Sequence, residues 1–202
     1  GYALYEATVT TVDNNPVLTV ENVRDYAAVY VDGKLQGCIT EERKSITLQV
    51  SAGKHMLQLY VENIGRITYG PEILDNSKGL FGSITLSDME IGNWRMIPLL
   101  VRDCAVGELA FMPQTGGGLP CFYKGIFTVE TPGEIYLDVS GWGMGEVWVN
   151  GHYAGSYWEQ NAQQSIQLPV EVLQKGANSL IVFELKSNGK CTMHLSNKAV
   201  FN

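Results

Sequence analysis

Cysteine, histidine and positive charge are all scarce in this chain, and each shortage argues against a class of protein. The chain has four cysteines and three histidines among 202 residues, and neither set has the spacing of a redox motif or metal site. With 14 basic residues against 21 acidic ones, the net charge of −7 disfavours binding to nucleic acid or to an anionic membrane surface. Apolar runs are short, so we expect no membrane-spanning helix.

A role in packing explains the cysteines more simply than a redox or metal-binding role does. Cys38 and Cys121 lie in apolar, strand-like stretches, where a free cysteine usually behaves as a small buried hydrophobic residue. A disulfide between Cys104 and Cys121 stays open at the level of the sequence. We expect no metal site and no cofactor.

Short strand-like segments follow one another along the whole chain. Most alternate apolar with polar residues, as Thr47–Val50 and Gln58–Val61 do, and are bounded by Gly, Asn, Asp or Pro. The best helix candidate is Pro169–Gln174, which is one or two turns long. In a chain with 45% hydrophobic residues, strands at this spacing predict an all-β protein of the sandwich type.

The chain repeats itself with an offset of 118 residues, so that Val29–Gly33 corresponds to Val147–Gly151. Further matches keep the same order and similar spacing: Ser45–Leu48 with Ser165–Leu168, and Gly53–Glu62 with Gly176–Leu185. The repeat predicts two jelly-roll-like β-sandwich domains, which we place at residues 1–103 and 104–202. The chain enters a strand-like run directly after Gly1, so we expect the native N-terminus to lie upstream.

Each copy contains a tight-turn signature. It is Asp32 and Gly33 in the first copy, and Asn150 and Gly151 in the second. These residue types tolerate positive φ, so we expect each pair to close a β-hairpin. Asp32 is therefore assigned to a turn and not to catalysis.

No catalytic residue is predicted. A glycosidase needs two carboxyl groups on either side of the scissile bond, and no two of the 21 acidic residues stand out as such a pair. Glu62 and Glu184 each end an apolar strand, and we expect them at equivalent places in the two copies. A repeated position favours a structural role for both.

Aromatic side chains are concentrated between residues 142 and 158, at Trp142, Trp148, Tyr153, Tyr157 and Trp158. If Val147 and Val149 face the core, Trp148 points to the opposite side of its strand. An outward tryptophan usually marks a contact with another domain, and this is our preferred interpretation. Core packing and a sugar-stacking site remain as alternatives.

Several segments of the chain resemble the region that follows the catalytic barrel in glycoside hydrolase family 35. The most specific are Val61–Gly70, followed by Lys78–Leu80, and Gly141–Gly151. Other matches run in the family's order over nearly the whole chain: Gly1–Tyr5, Val29–Gly33, Asp75–Gly82, Trp94–Leu99, Leu119–Phe127, Tyr157–Trp158 and Val182–Leu185. The resemblance implies two β-sandwich domains, the second similar in shape to galactose-binding domains.

The resemblance also implies a function. In the family both catalytic glutamates lie on a TIM barrel that this chain lacks, so the chain is expected to be a non-catalytic accessory region of a retaining β-galactosidase. Its expected partner is that barrel, with a galactoside or other glycan and a second subunit as further candidates. A periplasmic or extracellular compartment is favoured over the cytoplasm. The loop with Arg66 and Tyr69 is expected to lean on the barrel, with Tyr69 near the rim of the galactose pocket and Arg66 bracing the loop.

Three alternatives remain open. The loop with Arg66 and Tyr69 could instead pack between the two sandwiches. The chain could be a free-standing carbohydrate-binding module, which requires exposed aromatic side chains in a groove. It could also be a diverged structural or adhesion sandwich, because Ser156 and Asn161–Gln163 stand where the family commonly has an arginine and Gly-Pro-Gln.

Overall fold

The computed structural model describes residues 1–65, 68–113, 118–186 and 189–202. These residues divide into two compact units, Gly1–Val101 and Arg102–Asn202. Strands dominate both, and the helical elements of the described chain are 3-10 turns at Pro71–Leu74, Val106–Glu108 and Val170–Val172. The predicted all-β class is confirmed, and one 3-10 turn stands where the helix candidate was placed. No helix among these residues is long and apolar enough to cross a membrane.

The described residues of the first unit form nine strands: β1 (Tyr2–Thr11), β2 (Val17–Arg24), β3 (Tyr26–Val31), β4 (Lys34–Thr40), β5 (Ser45–Thr47), β6 (Gly53–Glu62), β7 (Gly79–Leu86), β8 (Met89–Glu90) and β9 (Arg95–Leu99). They pair antiparallel into two sheets, with strand orders β4-β3-β6-β1-β9 and β5-β2-β7-β8. Residues from both sheets, including Leu18, Val29, Leu59 and Ile84, form one buried core. The alternating pattern of the sequence therefore places apolar side chains between two sheets.

The second unit contains seven strands among its described residues: β10 (Cys121–Val129), β11 (Tyr136–Asp138), β12 (Met144–Val149), β13 (His152–Trp158), β14 (Ser165–Gln167), β15 (Gly176–Glu184) and β16 (His194–Ser196). The sheets have the orders β10-β15-β12-β13 and β14-β11-β16. Their shared core includes Leu137, Trp142, Val147 and Val182.

The two units share one topology. If β8 and β9 are set aside, the strand orders of the first unit match those of the second strand for strand. A register shift also recurs at the same place, between Val29 and Tyr30 in the β3–β4 pair and between Val147 and Trp148 in the β12–β13 pair. The repeat seen in the sequence is thus present in the fold.

The two tight-turn signatures connect equivalent strands. Asp32 and Gly33 lie between β3 and β4 with φ angles of 50° and 76°, and Asn150 and Gly151 lie between β12 and β13 with 50° and 82°. Positive φ at both central residues is the geometry of a type I′ turn, whose twist matches that of the flanking strands.

The cysteines are less buried than expected. Cys38 and Cys121 are only partly buried, because β4 and β10 are edge strands whose outer flank has no neighbour in the sheet. All four cysteines are free thiols, so the alternative of a Cys104–Cys121 disulfide is excluded.

Glu62 and Glu184 do not occupy equivalent places, so that prediction is wrong. In the first unit Ala27 pairs with Val61, and the corresponding Gly145 of the second unit pairs with Glu184. Glu184 therefore corresponds to Val61, one residue before Glu62. A shift of one residue along a strand reverses the face, so the two carboxylates lie on opposite faces of their sheets.

Candidate functional site

The segment that joins β6 to β7, which we call the β6–β7 loop (residues 63–78), exposes several large apolar side chains. The exposed fractions are 44% for Ile64, 85% for Tyr69, 43% for Ile73 and 95% for Leu74. Isolated exposed apolar residues are common on soluble proteins, but several in one segment make that segment a candidate for binding a partner.

Charged residues brace the loop at both ends. Asp25 accepts a hydrogen bond from the Ile64 backbone N–H at 2.9 Å and two from the Lys78 ammonium at 2.8 Å each. Near the far end, the Arg24 guanidinium lies 3.1 Å from the backbone oxygen and from a carboxylate oxygen of Asp75. The Arg24 hydrogen bond is the main reason why the pKa of Asp75 lies below its ordinary value. The Arg24–Asp25 segment, which links β2 to β3, thus fixes the loop on the sandwich.

The predicted pair in this loop is described only in part. Tyr69 directly precedes Gly70 and the 3-10 turn Pro71–Leu74, and its ring is exposed. Arg66 lies outside the described residues. The structure thus places one of the two candidates on an open surface of the first unit.

The five aromatic candidates do not form one continuous exposed surface on which a sugar could stack. Trp142 and Tyr157 belong to the core of the second unit. Trp148 lies on the face of β12 opposite Val147 and Val149, as the alternation predicted, yet it is only 3% exposed. It packs near the rings of Phe122 and Tyr153, at centroid distances of 5.9 and 5.8 Å. Trp158 is half-buried, so Tyr153 is the exposed member of the set, at 44%.

An ion pair with a buried carboxylate, which the sequence analysis missed, lies beside Trp148. The Glu146 carboxylate is fully buried, and it accepts hydrogen bonds from Arg102 Nε at 2.8 Å and from the Tyr153 hydroxyl at 2.6 Å. Burial and the hydrogen bond to Glu146 raise the pKa of Tyr153 to about 12. A charged residue inside the apolar strand Met144–Val149 was the available signal, because a buried charge requires a partner.

A second buried carboxylate, Glu184, lies on the core side of the same sheet. It accepts hydrogen bonds from the backbone N–H groups of Gly143, Met144 and Lys186 at 2.9, 3.2 and 2.7 Å, and from the Tyr157 hydroxyl at 3.2 Å. Burial and this carboxylate raise the pKa of Tyr157 well above its usual range. Glu146 and Glu184 face opposite sides of one sheet, and each carboxylate already accepts hydrogen bonds from other residues of the second unit. They therefore do not converge on one point as a glycosidase pair must.

Two protein-family models match this chain. "Beta-galactosidase, first all-beta domain" matches residues 1–100, and "Beta-galactosidase, galactose-binding domain" matches residues 120–178. The chain belongs to the accessory all-β region of the β-galactosidases. One match lies in each of the two units, and together they cover most of the chain.

Curated β-galactosidases extend the similarity to the whole chain. The enzyme of Xanthomonas manihotis is 34% identical over 172 residues, which are 83% of this chain and 28% of that protein. The enzyme of Bos taurus is 32% identical over 235 residues, covering 100% of this chain and 35% of its own length. This β-galactosidase region thus spans about a third of the relatives that it matches.

Among solved structures, a lectin from Pleurotus ostreatus in complex with GalNAc aligns with 97% of this chain and 76% of its own. The sequence identity is 12% and the TM-score 0.36, so this likeness carries no argument.

The unit that contains the galactose-binding match also has an open groove of about 780 Å³. The groove lies along β10 and is lined by residues 110–113 and 191–193 and by core side chains such as Trp142. Among its lining residues, the Lys124 ammonium lies over the Phe111 ring, 5.5 Å from the ring centroid. Exposed aliphatic groups, Met112 at 88% and Ile126 at 73%, lie along this groove of the β-galactosidase region.

Within this β-galactosidase region, the described residues contain no group of three or more His, Cys, Asp or Glu side chains that could hold a metal ion.

Proposed function

We propose that this accessory region belongs to a longer, retaining β-galactosidase of glycoside hydrolase family 35, and that it packs on the catalytic barrel and shapes access to the substrate. The barrel would supply the two carboxyl groups that release a terminal β-galactose. Support comes from the two β-galactosidase domain matches and from relatives about three times as long as this chain.

The observation that carries the proposed contact is the β6–β7 loop. Its apolar side chains are exposed, yet both of its ends are fixed by hydrogen bonds to Arg24 and Asp25. A surface held in place before it meets its partner loses little conformational entropy on binding. Tyr69, with its apolar ring and polar hydroxyl, suits the edge of a sugar pocket, and Leu74 suits the apolar centre of a contact.

The domain arrangement and the compartment are part of the same proposal. The domains are residues 1–103 and 104–202, which the division of the fold between Val101 and Arg102 supports. The parent enzyme is periplasmic or extracellular, and a second subunit is a further partner. The family resemblance supports both statements.

The test uses the full-length parent enzyme with Tyr69→Ala, Tyr69→Phe and Leu74→Ala. Leu74→Ala should lower the midpoint of thermal unfolding, because burial of a leucine at a contact contributes about 1.5–3 kcal/mol. Tyr69→Ala should raise KM for a β-galactoside with a smaller effect on kcat, and Tyr69→Phe should show how much of that rise is due to the hydroxyl.

The matched control is Val12→Ala, which shortens a side chain of the first unit that is 79% exposed and lies outside the loop. It should leave both KM and the unfolding midpoint unchanged. If the three loop variants behaved like Val12→Ala, the loop would not contact the barrel, and the proposal would fail.

A further inference from the structure

In each unit, an equivalent set of hydrogen bonds fixes the hairpin turn to the neighbouring strand. The side chains that make these bonds are ionisable in the first unit and neutral amides in the second. In the first unit the Asp32 backbone N–H donates to the Met56 carbonyl oxygen at 3.0 Å, and the Met56 N–H donates to Asp32 Oδ1 at 2.9 Å. In the second unit the Asn150 N–H donates to the Ser179 carbonyl oxygen at 2.9 Å, and the Ser179 N–H donates to Asn150 Oδ1 at 2.8 Å. Asn150 is thus the structural equivalent of Asp32, and Ser179 is the equivalent of Met56.

In each unit, one further side chain makes hydrogen bonds at the same turn. His55 Nδ1 lies 2.7 Å from Asp32 Oδ2, and His55 Nε2 lies 2.9 Å from the carbonyl oxygen of Ser51, four residues earlier. At the corresponding place, Asn178 Oδ1 accepts a 2.8 Å hydrogen bond from Asn150 Nδ2. Asn178 Nδ2 donates at 2.8 Å to the carbonyl oxygen of Gln174, again four residues earlier.

The partners of His55 fix its protonation. A carboxylate oxygen and a backbone carbonyl oxygen can only accept hydrogen bonds, so both ring nitrogens must carry a proton. Only the imidazolium form has two N–H groups. The side-chain amide of Asn178 makes the corresponding bonds while it stays neutral.

We infer that the first unit contains a protonation-dependent clasp, formed by Asp32, Ser51 and His55, and that Asn150, Gln174 and Asn178 form a pH-independent version in the second unit. When His55 loses a proton, one ring nitrogen presents a lone pair to an acceptor oxygen. The negative charge of Asp32 retains the Nδ1 proton, so the contact with Ser51 is the one that breaks. The link between the β3–β4 hairpin and the start of β6 then weakens.

The signs of the pKa shifts agree with this geometry. The hydrogen bond to Asp32 raises the pKa of His55 above its ordinary value of 6.5, with a further contribution from Ser51. The hydrogen bond to His55 lowers the pKa of Asp32 below its ordinary value of 3.8, and the positive charge of Lys34 on β4 acts in the same direction.

The linkage between protonation and folding gives the pH range of the clasp. The His55 contribution to stability is complete below about pH 6.5 and is lost as the pH rises through the raised pKa. The Asp32 contribution is complete above about pH 4 and is lost as the pH falls through the lowered pKa. Both contributions of the clasp to stability are therefore fully present between about pH 4 and 6.5.

The other groups around the clasp do not reverse this dependence. Thr11 of β1 donates a hydroxyl hydrogen bond to the same Ser51 oxygen at 3.2 Å, and a hydroxyl is neutral throughout this range. Lys54 directly precedes His55 on β6, so its side chain points to the opposite face of the strand.

The test compares two amides in one sample of the full chain by hydrogen exchange between pH 5 and pH 8, corrected for intrinsic exchange. Met56 N–H and Ser179 N–H make the same hydrogen bond in the two units. We expect the protection of Met56 to fall about threefold across this range, a size typical of a partly exposed ion pair, while that of Ser179 stays constant. Equal pH profiles for the two amides would overturn the inference.

Two further measurements keep the test decisive. Ring ¹⁵N shifts should show that His55 changes from imidazolium to imidazole at a pH above its ordinary pKa of 6.5, and a change at or below that value would contradict the clasp. The double variant Asp32→Asn with His55→Asn copies the second unit into the first and should abolish the pH dependence at Met56. If this variant did not fold, the comparison of Met56 with Ser179 in the natural sequence would still decide.

Discussion

Replacement of Glu184 tests whether this buried carboxylate serves the fold. Its two oxygens receive four donors: Met144 N–H and Lys186 N–H on Oε1, and Gly143 N–H and the Tyr157 hydroxyl on Oε2. Glu184→Ala leaves three backbone N–H groups, those of Gly143, Met144 and Lys186, without their acceptor. Each buried donor left without an acceptor costs about 1–3 kcal/mol, so for three donors we expect a loss of at least about 3 kcal/mol.

Glu184→Gln should cost less, and the difference can be derived from the geometry. A glutamine keeps one acceptor oxygen, which can serve Met144 and Lys186, while its amide nitrogen faces Gly143 and Tyr157. The Tyr157 hydroxyl can then accept from the amide and donate to the Phe183 carbonyl oxygen, 3.1 Å away. Only the Gly143 N–H stays without an acceptor, so we expect a loss of about 2 kcal/mol.

The assay is urea unfolding followed by tryptophan fluorescence in a Trp94→Phe background, which leaves Trp142, Trp148 and Trp158, all in the second unit. Glu171→Gln, at an exposed carboxylate of the same unit, is the control and should change the free energy of unfolding by less than about 0.5 kcal/mol. A loss below about 1 kcal/mol for Glu184→Ala would refute the argument that these donors depend on Glu184.

Two more substitutions test the packing of the sheets. Arg102→Met should lower the free energy of unfolding by about 2 kcal/mol, because it removes the guanidinium from the fully buried Glu146, whereas Arg95→Met, at a side chain that is 72% exposed, should cost less than about 1 kcal/mol. Gly145→Ala should cost about 3 kcal/mol, since a Cβ there overlaps the backbone of β15, whereas Gly125→Ala, where a Cβ meets open space, should be close to neutral. The same urea titration measures the three variants of the second unit, and Arg95→Met is measured with Trp94 retained, because both residues lie in the first unit. Equal losses within either pair would contradict the packing argument.

The sequence predicted the buried strands better than the edges. The alternating pattern at Gln58–Val61 lies within β6, which is a central strand buried on at least one face. Strand β9 was not predicted, and the edge strands β4 and β13 were expected only as the second strands of the hairpins at Asp32–Gly33 and Asn150–Gly151. An edge strand such as β13 has neither a fully apolar face nor strict alternation, so its sequence resembles that of a loop.

The site was harder to predict because it depends on contacts between distant residues. The direction of Trp148 followed from the period of two, but its burial depends on Phe122 and Tyr153, on other strands. The predicted equivalence of Glu62 and Glu184 was wrong because similar residue types at the ends of two strands do not determine the strand register to within one residue. The partnership of Asp32 with His55 was missed because 23 residues separate them and no sequence motif links the two.

What the two copies do not share indicates where a specific function resides. Strand order, the type I′ hairpins and the backbone bonds that hold those hairpins are common to both units, so these features serve the fold. The segment after β6 runs for 16 residues to β7, whereas that after β15 reaches β16 in nine. The longer segment carries the exposed Tyr69 and Leu74, fixed by the charges of Arg24, Asp25 and Lys78. Because the shared topology does not require this length, these charges or these exposed side chains, they support the proposed contact with the catalytic barrel.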